Sequence, residues 1–114
     1  MRILIVDDSS FMRKRIASAV KEAGHEVVGM ACDGEEGVEM YRSLRPDLVI
    51  MDVTMRGVDG IEAVRRIKSE HSDAKVVFMS LVSDPEVISQ AKGLGALAWL
   101  GKNEHQRLRE ILAG

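Results

Sequence analysis

The fold of this chain is constrained most by five short apolar segments that recur along its 114 residues. Some of the segments begin with a polar residue, but the residues that follow it are continuously apolar. Continuous apolar runs of this length are typical of parallel strands buried on both faces of a sheet. The spacing between the segments leaves room for one helix after each strand. The predicted strands are Arg2–Val6, Glu26–Met30, Asp47–Met51, Lys75–Met79 and Ala96–Leu100.

The intervening segments carry apolar residues at helical spacing, as Met12, Ile16 and Ala19 do in the first of them. A strand followed by a helix, five times over, predicts an α/β fold, because right-handed crossovers place the strands side by side with helices on both faces. We therefore expect a doubly wound (βα)5 fold with a parallel five-stranded sheet. Four helices are predicted to begin behind capping residues, namely the pair Ser9-Ser10 and the acids Asp33, Asp59 and Asp84.

Size and charge narrow the class of protein. Residues 1–114 are enough for one core, so we expect one domain, either free-standing or cut from a longer protein. A formal net charge of −2 argues against direct nucleic-acid binding, and the basic run Arg13-Lys14-Arg15 is expected to be a solvated helix face. No apolar run approaches the ~20 residues that span a bilayer. The single cysteine, Cys32, cannot form an internal disulfide, so a cytoplasmic location is expected.

Polar residues follow four of the five predicted strands. Asp7 and Asp8 follow the first strand, Asp52 the third and Ser80 the fourth, while Lys102 comes shortly after the fifth. Because parallel strands end at the same edge of a sheet, and ligands bind there where the strand order reverses, we expect these side chains to converge.

The chemistry of this set points to a phosphoryl site that contains a metal ion. Three neighbouring carboxylates repel one another unless a cation offsets their charge, and an oxygen-only site favours Mg²⁺. Lys102 and Ser80 suit a phosphate as a point charge and a hydroxyl donor, and the Asp52 carboxylate can itself accept the phosphoryl group. Each residue taken alone is more often a helix cap or solvated surface, so the prediction depends on the whole set.

The same residues resemble a known family over essentially the whole chain, the receiver domains of bacterial two-component response regulators. Its CheY-like chemotaxis members are the most similar in the segment after the first strand. The resemblance implies a flavodoxin-like sheet with the strand order 2-1-3-4-5. The motifs that carry it are Ile5-Val6-Asp7-Asp8, Asp52, Asp59-Gly60, Ser80, and Lys102 twenty-two residues after Ser80.

The resemblance also implies a role for each site residue. Asp52 would accept a phosphoryl group from a histidine kinase, and the protein would have no enzymatic chemistry beyond its own phosphorylation and dephosphorylation. Mg²⁺ would be bound by the side chains of Asp8 and Asp52, by Asp7 mainly through water, and by the backbone carbonyl of Thr54. The residues implied to hold the phosphoryl oxygens are Ser80 and Lys102.

Switching and partner surfaces are implied in the same way. Ser80 would move toward the phosphoryl group and Trp99 would change rotamer or depth, altering the face formed by the fourth helix, fifth strand and fifth helix. An output protein of unknown identity would bind this face, and the chain is expected to be a monomer or weak dimer. The output face is expected near Asp84, Trp99 and Glu104, and the kinase near Phe11, Met12 and Arg15.

Several positions depart from the family pattern and keep alternatives open. Arg56 replaces the usual proline after Met55, and Asn103 replaces the proline that usually follows the lysine; Leu81 is bulky where a small residue is usual, and Trp99 is a large switch residue. They allow a degenerate receiver that signals by binding alone. A haloacid-dehalogenase-like phosphatase needs an acid two residues after its nucleophile, but Thr54 follows Asp52 at that spacing. A flavin-binding module is disfavoured by the paired acids Asp7 and Asp8, which repel a phosphate.

Overall fold

A computed structural model describes residues 1–81 and 83–114 of the chain. Strands and helices alternate throughout the described part. Their bounds are β1 Arg2–Val6, α1 Ser10–Glu22, β2 Glu26–Ala31, α2 Gly34–Leu44, β3 Leu48–Asp52, α3 Gly60–Glu70, β4 Val76–Ser80, α4 Pro85–Gly93, β5 Ala98–Gly101 and α5 His105–Ala113.

The strands form one parallel sheet in the order β2-β1-β3-β4-β5, which confirms the doubly wound, flavodoxin-like topology. The register aligns the carboxyl ends of the inner strands, because Asp52 of β3 pairs with Met79 and Ser80 of β4 pairs with Gly101. Residues that follow these strands therefore leave the sheet at one edge.

The predicted fifth strand was placed too early. The apolar pattern predicts a start at Ala96, but β5 begins at Ala98. The Ala96 amide donates instead to the Ala91 carbonyl, 3.3 Å away, as part of the turn that closes α4. An apolar residue that belongs to such a turn cannot be distinguished by hydropathy from the first residue of a strand.

All four predicted caps are present, and within the pair Ser9-Ser10 the capping residue is Ser9, since Ser10 is the first residue of α1. The Ser9 hydroxyl accepts a hydrogen bond from the Met12 amide at 3.2 Å, and the carboxylates of Asp33, Asp59 and Asp84 accept from amides in the first turns of their helices. These bonds satisfy amides that have no partner within the helix. They also determine where the chain turns from each strand edge into the following helix.

Two apolar layers enclose the sheet. One face packs against α1 and α5 through residues such as Ile16 and Leu108, and the other packs against α2, α3 and α4. Gly60, the first residue of α3, lies so close to β3 that a Cβ there would collide with the Asp52 carbonyl oxygen. Among the described residues, no helix is both long and apolar enough to cross a membrane.

Candidate functional site

Asp7, Asp8 and Asp52 lie together at the carboxyl edge of the sheet. Each offers a carboxylate oxygen, and the three oxygens lie within 4.8 Å of one another. Asp7 is 0% exposed and Asp52 is 2% exposed, while Asp8 is exposed to solvent. The convergence expected from the strand ends is therefore present, close enough for one ion to contact all three.

Asp7 is held by hydrogen bonds to almost every polar group it has. Its amide donates to the Ala31 carbonyl at 3.1 Å, and its Oδ1 accepts from the Ser9 amide at 2.9 Å. Its carbonyl oxygen accepts from Arg13 Nη1 at 2.7 Å. Only Oδ2 is left to face the cluster.

The Lys102 ammonium bridges two of the three acids. Its Nζ lies 3.0 Å from Asp7 Oδ2 and 3.0 Å from Asp52 Oδ2, although neither contact has the alignment of a hydrogen bond. The Lys102 amide donates to the Ser80 carbonyl at 3.0 Å, which places the side chain at this edge even though Asn103 follows it. We attribute the position of the ammonium to attraction between unlike charges.

Burial and charge shift the protonation equilibria of the two central groups. Burial raises the pKa of Asp52 from its ordinary 3.8 to about 6; Lys102 opposes this shift, and the Asp7 charge adds to it. Burial acts to lower the pKa of Lys102, but its contacts with Asp52 and Asp7 prevail and the net pKa is raised. The site therefore holds a charged ammonium beside the Asp52 carboxylate, whose ionised form is disfavoured by desolvation.

The donor set fits Mg²⁺. Asp7 Oδ2 and both carboxylate oxygens of Asp52 are buried and have no aligned hydrogen-bond donor among residues 1–81 and 83–114. Buried anionic oxygens are costly when unsatisfied, and a hard dication coordinated by carboxylates offsets that cost. Thr54 lines the same cavity of about 330 Å³ as Asp8, Asp52 and Lys102.

The two residues predicted to act in switching, Ser80 and Trp99, line a neighbouring cavity of about 500 Å³ that shares Leu81 and Lys102 with the first. Ser80 is buried at the end of β4, and Trp99 is half-buried in β5 with its ring centroid 5.8 Å from that of Phe78. Leu81 also lines the cavity that contains Asp52, yet it is 84% exposed. Its bulk therefore lies at the rim of the site.

Arg13 lies at the site, which sequence reasoning missed. The prediction that the run Arg13-Lys14-Arg15 is a solvated face is wrong for Arg13. It is half-buried, and its guanidinium bonds the backbone of Asp7. Its position in the first turns of α1 was the available signal, because long helical side chains lean toward the N-terminus of their helix.

Comparison with known proteins identifies the family. The family model for the response regulator receiver domain matches residues 3–113, so the chain belongs to that family. Its relatives include the chemotaxis protein CheY of Thermotoga maritima, 39% identical over 101 residues that cover 89% of this chain and 84% of that protein. CheY of Treponema pallidum is 42% identical over 103 residues, which cover 89% and 72%.

A solved structure supports the same assignment. The CheX–CheY–BeF3–Mg²⁺ complex of Borrelia burgdorferi is similar with a TM-score of 0.92 and 27% identity, covering 99% of this chain and 87% of that one. Members of the family are signalling switches of two-component systems, not enzymes in the usual sense, and they bind Mg²⁺ in an acidic pocket.

Proposed function

We propose that this chain is a phosphorylation switch that receives a phosphoryl group on Asp52 from a histidine kinase, in the presence of Mg²⁺. The observation that carries the proposal is the buried Asp52 carboxylate, with Lys102 Nζ 3.0 Å away and the carboxylates of Asp7 and Asp8 beside it. An isolated structural ion pair would not need two further acids at the same strand edge.

In the proposed reaction, an oxygen of Asp52 forms a bond to phosphorus as the bond from phosphorus to the kinase histidine breaks. The proton that the departing imidazole needs comes from solvent. Lys102 and Ser80 hold the phosphoryl oxygens, the first as a charge and the second as a hydroxyl donor.

The proposed metal ligands are Asp8 and Asp52 through their side chains, Asp7 mainly through water, and the Thr54 carbonyl. Bound Mg²⁺ would neutralise part of the negative charge that the acids and the phosphoryl group bring together.

The proposed output surface is the face made by α4, β5 and α5, near Asp84, Trp99 and Glu104. Ala91 is the one fully buried residue of α4 within the described chain, so little packing opposes a shift of this helix. Movement of Ser80 toward the phosphoryl group would alter the loop that leads into α4. A population shift between two arrangements would then change partner binding.

The proposed kinase surface is the start of α1. Phe11 is 66% exposed, and the Arg15 guanidinium lies 5.7 Å from its ring centroid, so an apolar side chain and a cation are presented together. The expectations of a cytoplasmic location and of a monomer or weak dimer are part of the same proposal.

The test uses Trp99, the chain's single tryptophan, as the reporter. Wild type and Asp52→Asn receive MgCl2 and then beryllofluoride, which mimics a phosphoryl group, while tryptophan fluorescence is recorded. Wild type is expected to respond only when both are present, and Asp52→Asn is expected not to respond. An equal response from both proteins would refute the assignment of Asp52.

A degenerate receiver is the second candidate, because Leu81 lines the cavity beside Asp52. Such a protein would bind its partner equally well with and without beryllofluoride. Leu81→Ala separates the two candidates: if Leu81 only obstructs the site, the substitution speeds or strengthens the beryllofluoride response, and a degenerate receiver remains unresponsive.

A further inference from the structure

We propose that Arg13 is a positioning residue for the metal site, acting through the peptide group that joins Asp7 to Asp8. This inference rests on the proposed function, since it concerns how well the same acidic cluster binds Mg²⁺.

The Asp7 carbonyl lies where β1 leaves the sheet. The pairing of β1 with β3 ends at Val6, which lies opposite Met51. The Asp7 amide still donates to the carbonyl of Ala31, the last residue of the neighbouring strand β2. The Asp7 carbonyl oxygen is thus beyond the last strand pair, and Arg13 Nη1 donates to it at 2.7 Å. A side chain supplies the hydrogen bond that a neighbouring strand supplies elsewhere.

This hydrogen bond orients more than one atom. Because the peptide group is planar, holding the Asp7 oxygen also holds the amide nitrogen and the Cα direction of Asp8. Asp8 is exposed, so packing contributes little to placing its carboxylate beside those of Asp7 and Asp52. The Arg13 contact therefore acts on the most exposed of the three acids.

Arg13 is itself well placed to hold this position. Its amide donates to the Ser9 carbonyl at 2.9 Å, which anchors it in the first turn of α1, behind the Ser9 cap. Arg13 is half-buried, and its charge-assisted hydrogen bond at 2.7 Å is stronger than a neutral one.

Charge and position predict opposite effects on metal affinity. A positive charge near a cation site disfavours Mg²⁺, so charge alone predicts tighter binding when Arg13 is neutralised. Positioning predicts weaker binding, because groups that orient metal ligands commonly contribute tenfold or more to affinity. The sign of the change separates the two explanations.

The experiment titrates the protein with MgCl2 by isothermal calorimetry. Arg13→Met keeps the aliphatic stem but removes the donor, and its Kd is expected to rise about tenfold. Arg13→Lys keeps a donor that can reach the carbonyl and is expected to bind within about threefold of wild type. Lys14→Met is the matched control, since it removes one exposed positive charge from the same turn, and its Kd is expected to stay equal or fall.

A spectroscopic measurement in EDTA tests the contact itself. The backbone carbonyl ¹³C resonance of Asp7 is expected to move upfield in Arg13→Met and to stay near its wild-type position in Arg13→Lys, because loss of a hydrogen bond shields a carbonyl carbon. If Arg13→Met does not fold, Arg13→Gln replaces it, because its amide is too short to reach and the same losses are expected.

The inference would be overturned if Arg13→Met bound Mg²⁺ as tightly as wild type or more tightly. It would also be overturned if the Asp7 carbonyl resonance did not move in that variant. Equal Mg²⁺ affinities of wild type and Asp52→Asn would instead refute the proposed metal site. The two failures are therefore distinguishable.

Discussion

Replacing Asp52 by asparagine is expected to stabilise the metal-free protein, even though it abolishes the proposed function. Folding places this carboxylate in a buried position and raises its pKa from 3.8 to about 6. The ionised form is therefore less favourable in the folded state than in the unfolded chain. Asparagine has nearly the same shape as the protonated acid, but carries no charge to be desolvated.

The magnitude follows from linkage between protonation and folding. At about 1.36 kcal/mol per pKa unit, a rise of about two units corresponds to about 3 kcal/mol of stability that wild type lacks at pH 7.5. At low pH both states bind the proton and the penalty vanishes. As the pH rises, the unfolded carboxyl ionises first, so stability falls until the pH passes the folded pKa near 6.

The assay is urea unfolding in EDTA at pH 5 and at pH 7.5. The free energy of unfolding of Asp52→Asn is expected to exceed that of wild type by about 1.6 kcal/mol at pH 5 and by about 3 kcal/mol at pH 7.5. This advantage therefore grows by about 1.4 kcal/mol between the two conditions. Asp73→Asn is the control, because that acid is exposed. Its replacement is expected to leave the free energy of unfolding nearly unchanged at both pH values.

Addition of Mg²⁺ should reduce or reverse the advantage, because an ion that binds only the folded wild type stabilises it by mass action. An Asp52→Asn variant that is no more stable than wild type in EDTA, or whose advantage is the same at both pH values, would refute the electrostatic reasoning.

Two further substitutions test the surroundings of the site. Lys102→Met removes the ammonium that lies 3.0 Å from Asp7 and Asp52. In urea unfolding at pH 7.5 in EDTA, the substitution is expected to lower the free energy of unfolding by about 3–5 kcal/mol. Part of this loss is expected to be recovered in MgCl2. A loss that Mg²⁺ does not reduce would argue against charge repulsion as its cause. Gly60→Ala introduces a Cβ that collides with the Asp52 carbonyl. The substitution is expected to destabilise the folded protein by about 1–3 kcal/mol and to weaken Mg²⁺ binding in a calorimetric titration. An unchanged Kd for Mg²⁺ would show that the loop absorbs the collision.

Much of the architecture could be predicted because its signals are local. Asp33, Asp59 and Asp84 cap helices through bonds to amides two or three residues away, so their effect can be read from a few neighbouring positions. The approach of Asp7 to Asp52 also followed from sequence, because two parallel strands that end at one edge bring the residues after them together.

What the sequence by itself determined was the alternation of strands and helices and the set of acids at the strand ends, since both depend on short-range pattern and simple topology. Only the tertiary structure decided that Arg13 reaches back to the Asp7 carbonyl, that Ala96 belongs to a turn, and that Asp52 is desolvated enough to raise its pKa. The first two features are contacts between residues no more than six positions apart, but they depend on a side-chain conformation and a turn geometry that the sequence pattern does not specify. The third depends on the packing of segments far apart in the chain, because burial of a charge is a property of the packed molecule.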